Sequence, residues 1–148
     1  MKNYSFFFLL LIFSFIAKSS YSQDFWEQIE GPEDQSIYSI NANSSEQIFV
    51  GTNNGIFKTD NYGLNWEQTT LNEYRFNVIH ISPLDEIFAV GPGVFYSNDN
   101  GETWDTINYM DVGGFAIYVY NENTIFVGNW GGYINFIKKI MNGELRKS

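Results

Sequence analysis

A short apolar phrase returns at a fixed interval along this 148-residue chain: Ile48-Phe49-Val50-Gly51, Ile87-Phe88-Ala89-Val90-Gly91 and Ile125-Phe126-Val127-Gly128, with the isoleucines 39 and 38 residues apart. Tryptophan keeps the same beat, since Trp26, Trp66 and Trp104 are 40 and 38 residues apart and each precedes an acidic residue. Two markers in one phase identify a repeated supersecondary unit. Within the first complete copy, turn signals separate four short strand-like runs near 37–41, 47–51, 56–60 and 66–69; the second copy has them near 77–82, 86–90, 94–98 and 103–107. Aromatic residues make up 19% of the chain, with 13 glycines and 3 prolines, which favours strands joined by tight turns over helices.

A four-stranded unit of about 40 residues buries neither face alone and needs neighbours on both sides. Radial stacking answers that need, and the nearly continuous Ile-Phe-Val run suits a strand buried between two units better than one with a wet face. The expected fold is therefore all-β: four-stranded antiparallel blades of a β-propeller, about two complete blades plus partial ones, forming an incomplete ring. Blade repeats are expected near 37–70, 77–108 and 115–137, within a partial propeller over 23–137. A β-sandwich would not explain a phrase repeated in phase. Upstream, Phe25-Trp26-Glu27-Gln28-Ile29 matches Trp66-Glu67-Gln68-Thr69 and reads as a lone fourth strand left from a preceding blade.

Between the third and fourth strands of the second copy stands Ser97-Asn98-Asp99-Asn100-Gly101-Glu102-Thr103-Trp104. It resembles the Asp-box (BNR-type repeat), S-x-D-x-G-x-T-W, at every defined position: Ser97, Asp99, Gly101, Thr103 and Trp104. Short polar side chains bond the turn backbone, glycine takes a left-handed conformation and tryptophan anchors the hairpin. The first copy carries a weaker box with Thr59, Asn61, Gly63 and Trp66, in which Asn61 replaces Asp and Asn65 replaces Thr. Gly51-Thr52-Asn53-Asn54-Gly55-Ile56-Phe57 resembles a phrase of two-component-regulator sensor propellers. The resemblance spans most of 25–133 and takes in the sialidase-like superfamily, photosystem assembly factors and sortilin-type receptors. It implies a propeller whose boxes lie away from the ligand-binding face, and it leaves the activity open.

The third copy departs from the pattern, because Tyr133 is followed by Ile134-Asn135-Phe136-Ile137 and a tail, 138–148, where only Asn142-Gly143-Glu144 is similar to the box turn. Lys138, Lys139, Arg146 and Lys147 give that tail an aberrant basic composition and suggest a truncated or frame-disrupted relative of a longer propeller. At the other end, Lys2, the apolar stretch from Phe6 to Ala17 and the small residues Ser20 and Ser22 read as a signal peptide over 1–22, cleaved between Ser22 and Gln23. A secreted or periplasmic protein follows, with no transmembrane segment after signal removal: the apolar run falls short of the roughly 20 residues that span a bilayer. Absence of cysteine leaves no disulfide framework. The net charge of -9 becomes -11 once Lys2 and Lys18 leave, which argues against nucleic acid as a partner.

No catalytic arrangement is visible, so the chain reads as not an enzyme. A sialidase, by resemblance, needs several arginines gripping a carboxylate, and the repeats hold only Arg75. The one histidine, His80, stands among Val78, Ile79 and Ile81 as a packing residue, and neither metal-ligand spacing nor a cofactor motif occurs. Binding residues are expected in loops joining strands two and three and in loops between blades: Tyr74, Arg75, Tyr109 and Trp130. Trp130, with Thr52 and Pro92 read as its counterparts, is the flat aromatic of the set and either stacks on a ligand or caps an adjacent blade. The function expected is an exported, non-enzymatic module binding protein or glycan. The alternatives are a fragment of a sialidase-type glycoside hydrolase and an extracytoplasmic sensor propeller. Exposed blade faces predict self-association that completes a propeller, or poor solubility.

Overall fold

The computed structural model describes residues 27–110, 113–121, 124–132, 134–138, 140–141 and 144–145. The signal peptide, Trp26, Asp111 and Tyr133 lie outside the described residues.

Two four-stranded antiparallel blades follow one another in sequence. Blade 1 comprises β1 (Ile37–Ala42), β2 (Ile48–Thr52), β3 (Gly55–Thr59) and β4 (Glu67–Gln68), in that spatial order. Blade 2 repeats it with β5 (Val78–Ile81), β6 (Ile87–Val90), β7 (Gly93–Ser97) and β8 (Asp105–Tyr109). A third blade contains β9 (Gly114–Asn121), β10 (Thr124–Asn129) and β11 (Ile134–Lys138), with β11 at its edge. In place of a third box, β12 (Ile140–Met141) and β13 (Glu144–Leu145) pair as a small hairpin. The all-β partial propeller read from the repeat is the fold observed.

The second strand of each blade explains the apolar phrase. In β6 all four residues are buried, and in β2 four of five are, as expected of a strand covered on both faces. Register sorts the side chains: Phe49 pairs with Lys58 on the face toward blade 2, whereas Val50 pairs with Ile40 and Phe57 on the opposite face. Phe49, Ile56 and Phe76 then pack on Ile79, Ile87, Ala89 and Phe95 to form the core between blades 1 and 2. Phe88, Val90, Val94 and Ile107 pack on Ile125 and Val127 between blades 2 and 3. Innermost strands of neighbouring blades meet without a backbone ladder, so side chains bridge them. The Ile79 N–H donates to Ser39 Oγ at 2.9 Å, and Asn77 Nδ2 donates to the Gly114 carbonyl at 2.8 Å.

The segment before β1 takes its expected place but is not a strand. Glu30 offers its carbonyl to Trp66 Nε1 at 2.9 Å, and Ile29 lies against Gly63. In the next repeat Thr69, the counterpart of Ile29, lies in the same way beside Gly101. Among the described residues no third strand stands beside 27–30, so its backbone has no ladder to join.

Candidate functional site

Antiparallel order puts two kinds of turn at opposite ends of the blades. The boxes and the β1–β2 and β5–β6 turns share one end; the β2–β3 and β6–β7 turns share the other with the connections between blades.

At the box end, Ser97 Oγ donates to Asp99 Oδ1 at 2.7 Å and accepts the Gly101 N–H at 3.0 Å. Asp99 accepts the Thr103 N–H at 3.0 Å and also the Thr103 hydroxyl. Gly101 sits at φ 75°, and Trp104 Nε1 closes the turn on its carbonyl at 3.1 Å. Burial works against ionisation of Asp99, but bonds from Thr103, Ser97 and the Glu102 N–H outweigh it and hold the carboxyl at about 2. The weaker box folds alike: Thr59 Oγ1 donates to Asn61 Oδ1 at 2.8 Å and accepts the Gly63 N–H at 3.1 Å, while Asn61 Oδ1 accepts the Asn65 N–H at 3.0 Å. These side chains are spent on their own turns.

The box end also ties blade to blade, which single-sequence reading missed. Glu102 reaches the buried Lys58 of blade 1, whose Nζ also lies 4.0 Å from Glu67. Asn43 Nδ2 donates to Asn100 Oδ1 at 3.1 Å, and the Ser44 N–H donates to Asp85 Oδ1 at 2.8 Å. No motif marks these residues, because the partners stand in different blades, 41 to 57 residues apart, and meet only when blades stack.

At the opposite end lie the four residues expected to bind, in three separate places. Tyr74 and Tyr109 line one groove of about 300 Å³ between blades 1 and 2, with Leu71, Phe95, Trp104 and Thr106. Arg75 is occupied: its guanidinium carbon lies 3.8 Å from the centre of the Tyr38 ring and its Nε donates to Asn77 Oδ1 at 2.7 Å. Trp130 is 69% exposed and tilts against Phe115 of its own blade, ring centres 4.8 Å apart. Phe115, 44% exposed, was missed because it opens a strand and reads as core. Register corrects the counterparts of Trp130. Ser39 faces Gly51, Val78 faces Val90 and Ala116 faces Gly128, so Trp130 corresponds to Asn53 and Pro92, not Thr52. The extra residue in Ile87-Phe88-Ala89-Val90-Gly91 shifts that glycine by one.

His80 is half-buried on β5, its ring centre 6.4 Å from that of Phe88, and burial lowers its pKa below 6.5. Nearby, burial and then the Glu86 carboxylate push Tyr96 up to about 12, the two joined by a 3.0 Å hydrogen bond. Burial leads both shifts, and Glu86 adds to that of Tyr96.

Fold and turn chemistry together define a BNR-type β-propeller. Residues 18–112 match the sequence model of a family described as photosynthesis system II assembly factor YCF48, well over half of the chain, and the chain belongs to that family. Among solved structures it is similar to YCF48 from Cyanidioschyzon merolae, with a TM-score of 0.63 and 21% identity, over 75% of this chain and 36% of that one. The chain thus spans little more than a third of that relative. No curated protein matches it.

Proposed function

We propose that this chain is an exported, non-enzymatic propeller module that binds a protein surface at the end opposite its boxes, in the manner of an assembly factor. The exposed Phe115–Trp130 pair carries the reading: two large aromatic rings are held together on β9 and the turn after β10, where neither completes a core. Family membership supports it, because the relatives are described as assembly factors. A glycan is the second ligand class that such a platform suits, since sugar rings stack on flat aromatics. The sialidase-type alternative loses support from Arg75, whose guanidinium is engaged by Tyr38 and Asn77. A sensor role has no residue of its own in this arrangement.

The test is binding by the full chain and by Trp130→Ala, measured against detergent-solubilised membrane complexes of the source cells and against a glycan array. Trp130→Ala should abolish capture of a defined complex while leaving thermal unfolding unchanged. Binding that is indifferent to Trp130→Ala, or absent on both supports, overturns the reading. Mass spectrometry of the exported protein checks the accompanying proposal of cleavage between Ser22 and Gln23, which predicts an amino-terminal Gln23.

A further inference from the structure

We propose that the groove between blades 1 and 2 binds an unbranched neutral glycan, laid along β8 with its sugar rings against Tyr74, Trp104 and Tyr109. Both walls are fixed by the fold itself. One wall is the connection 70–74, pinned to the start of β3: the Ile56 N–H donates to the Leu71 carbonyl at 2.9 Å and the Gly55 N–H to the Tyr74 carbonyl at 2.7 Å. Gly55, at φ 100°, permits this approach, since a Cβ there would run into the Leu71 carbonyl and the Asn72 Cα. The other wall is the blade 1 face of β8, with the buried Phe95 of β7 as the floor. Register shifts between Thr106, opposite Phe95, and Asn108, opposite Val94, leaving Ile107 as an extra residue. That bulge brings Tyr109, opposite Gly93, onto the same face as Thr106; in an unbroken strand it would point away.

The side chains left over by the fold select the ligand. Tyr109 is 66% exposed, whereas Leu71, which follows Trp66 by five residues as Tyr109 follows Trp104, is half-buried against the core. A ring brought round by a bulge and left in solvent serves packing only through its edge-on contact with Phe95, 6.0 Å between centres. Tyr74, 45% exposed, stands on the opposite wall. Among the described residues, nothing bonds the hydroxyls of Tyr74, Thr106 and Tyr109 or the Asn72 amide, so these groups are free for a ligand. Trp104 offers apolar surface alone, because its Nε1 is spent on the Gly101 carbonyl. Aromatic surface beside unspent hydroxyls suits a pyranose, whose C–H face lies on a ring while its own hydroxyls exchange hydrogen bonds. Glu73 is the one charged residue lining the groove, so an anionic sugar or a phosphate meets repulsion and no cation. The volume of about 300 Å³ lies at the small end of ligand pockets. From Trp104 to Tyr109 the strand covers roughly 17 Å, which fits a short chain of rings better than a single one. A peptide added to the β8 edge would draw on its backbone and leave these side-chain groups unused. The groove lies wholly within blades 1 and 2 and shares no residue with the Phe115–Trp130 pair.

Isothermal titration of the full chain with cellotetraose, chitotetraose and maltotetraose should show saturable binding of at least one of them, and titration with tetragalacturonate should show none. Tyr109→Ala should weaken the binding about tenfold, as loss of one stacked ring does, and Tyr74→Ala should weaken it to a similar extent. Both rings stand largely in solvent, so thermal unfolding of each variant should match that of the unsubstituted chain, and where one variant fails to fold the other gives the reading. No saturable binding of any of the three neutral tetrasaccharides overturns the proposal. So does tetragalacturonate held as tightly as they are, undiminished binding in a folded tyrosine variant, or a proline-rich decapeptide bound in place of a glycan.

Discussion

The two boxes of this protein have one geometry and two chemistries. Each central side chain accepts the hydroxyl that opens its box, from Ser97 or Thr59; beyond that, an ionised Asp99 gathers the Thr103 N–H and hydroxyl, and a neutral Asn61 the Asn65 N–H alone. Both keep glycine at positive φ, 75° at Gly101 and 86° at Gly63, each preceded by a residue also at positive φ, Asn100 and Tyr62. Their surroundings differ more than their bonds. Trp104 packs against the core between blades 1 and 2, and Gly101 backs onto Phe49 and Thr69 of the preceding blade. Among the described residues, Trp66 and Gly63 have only the 27–30 segment behind them. A degraded motif thus suffices for the turn, and the strict motif stands where the turn is also clamped between two blades.

The largest test of that contrast is tryptophan truncation. Trp104→Ala should cost about 3 kcal/mol, as removal of a core aromatic does, and Trp66→Ala about 1 kcal/mol, measured by urea unfolding. Equal losses would break the comparison. Next come the central side chains: Asp99→Ala should cost about 2 kcal/mol and Asn61→Ala about 1 kcal/mol, because bonds to a charged acceptor exceed those to a neutral one. Neither change should alter the binding proposed for the far end. A smaller effect is the acid dependence of the two turns. Since Asp99 is held at about 2 against its ordinary 3.8, its contribution is complete above about 3.8 and is lost as pH falls through about 2; Asp99→Asn should remove this dependence, as Asn61 has already done in blade 1. The smallest is the background from His80. Its lowered pKa gives a contribution that is complete above 6.5 and falls away as pH drops from 6.5 through the lower folded value, and His80→Gln should flatten stability in that window without touching the acid limb.

Particular residues show where sequence reasoning reached and where it stopped. The boxes were legible to the atom, because Ser97, Asp99, Gly101 and Thr103 act within a few residues of one another and their spacing is their geometry. The double burial of β2 and β6 was legible from the uninterrupted apolar phrase. The end opposite the boxes was legible only as a set of loops: Tyr74 and Tyr109 share a groove, but Arg75 is drawn onto Tyr38, and Trp130 takes Phe115, which had no signal of its own.

By itself, the sequence determined the repeat, the strands, their facing pattern and the box turns, since all of these rest on contacts within one unit of about 40 residues, where spacing dictates geometry. Only the tertiary structure decided how units meet. Lys58 with Glu102, Asn43 with Asn100, the core around Phe49 and Ile79, and the exposed Ile40, Leu64 and Tyr118 are all set by stacking one blade on the next. A contact between residues of different blades leaves no periodic trace in the chain, because either partner keeps its place in its own blade whether or not the other is there.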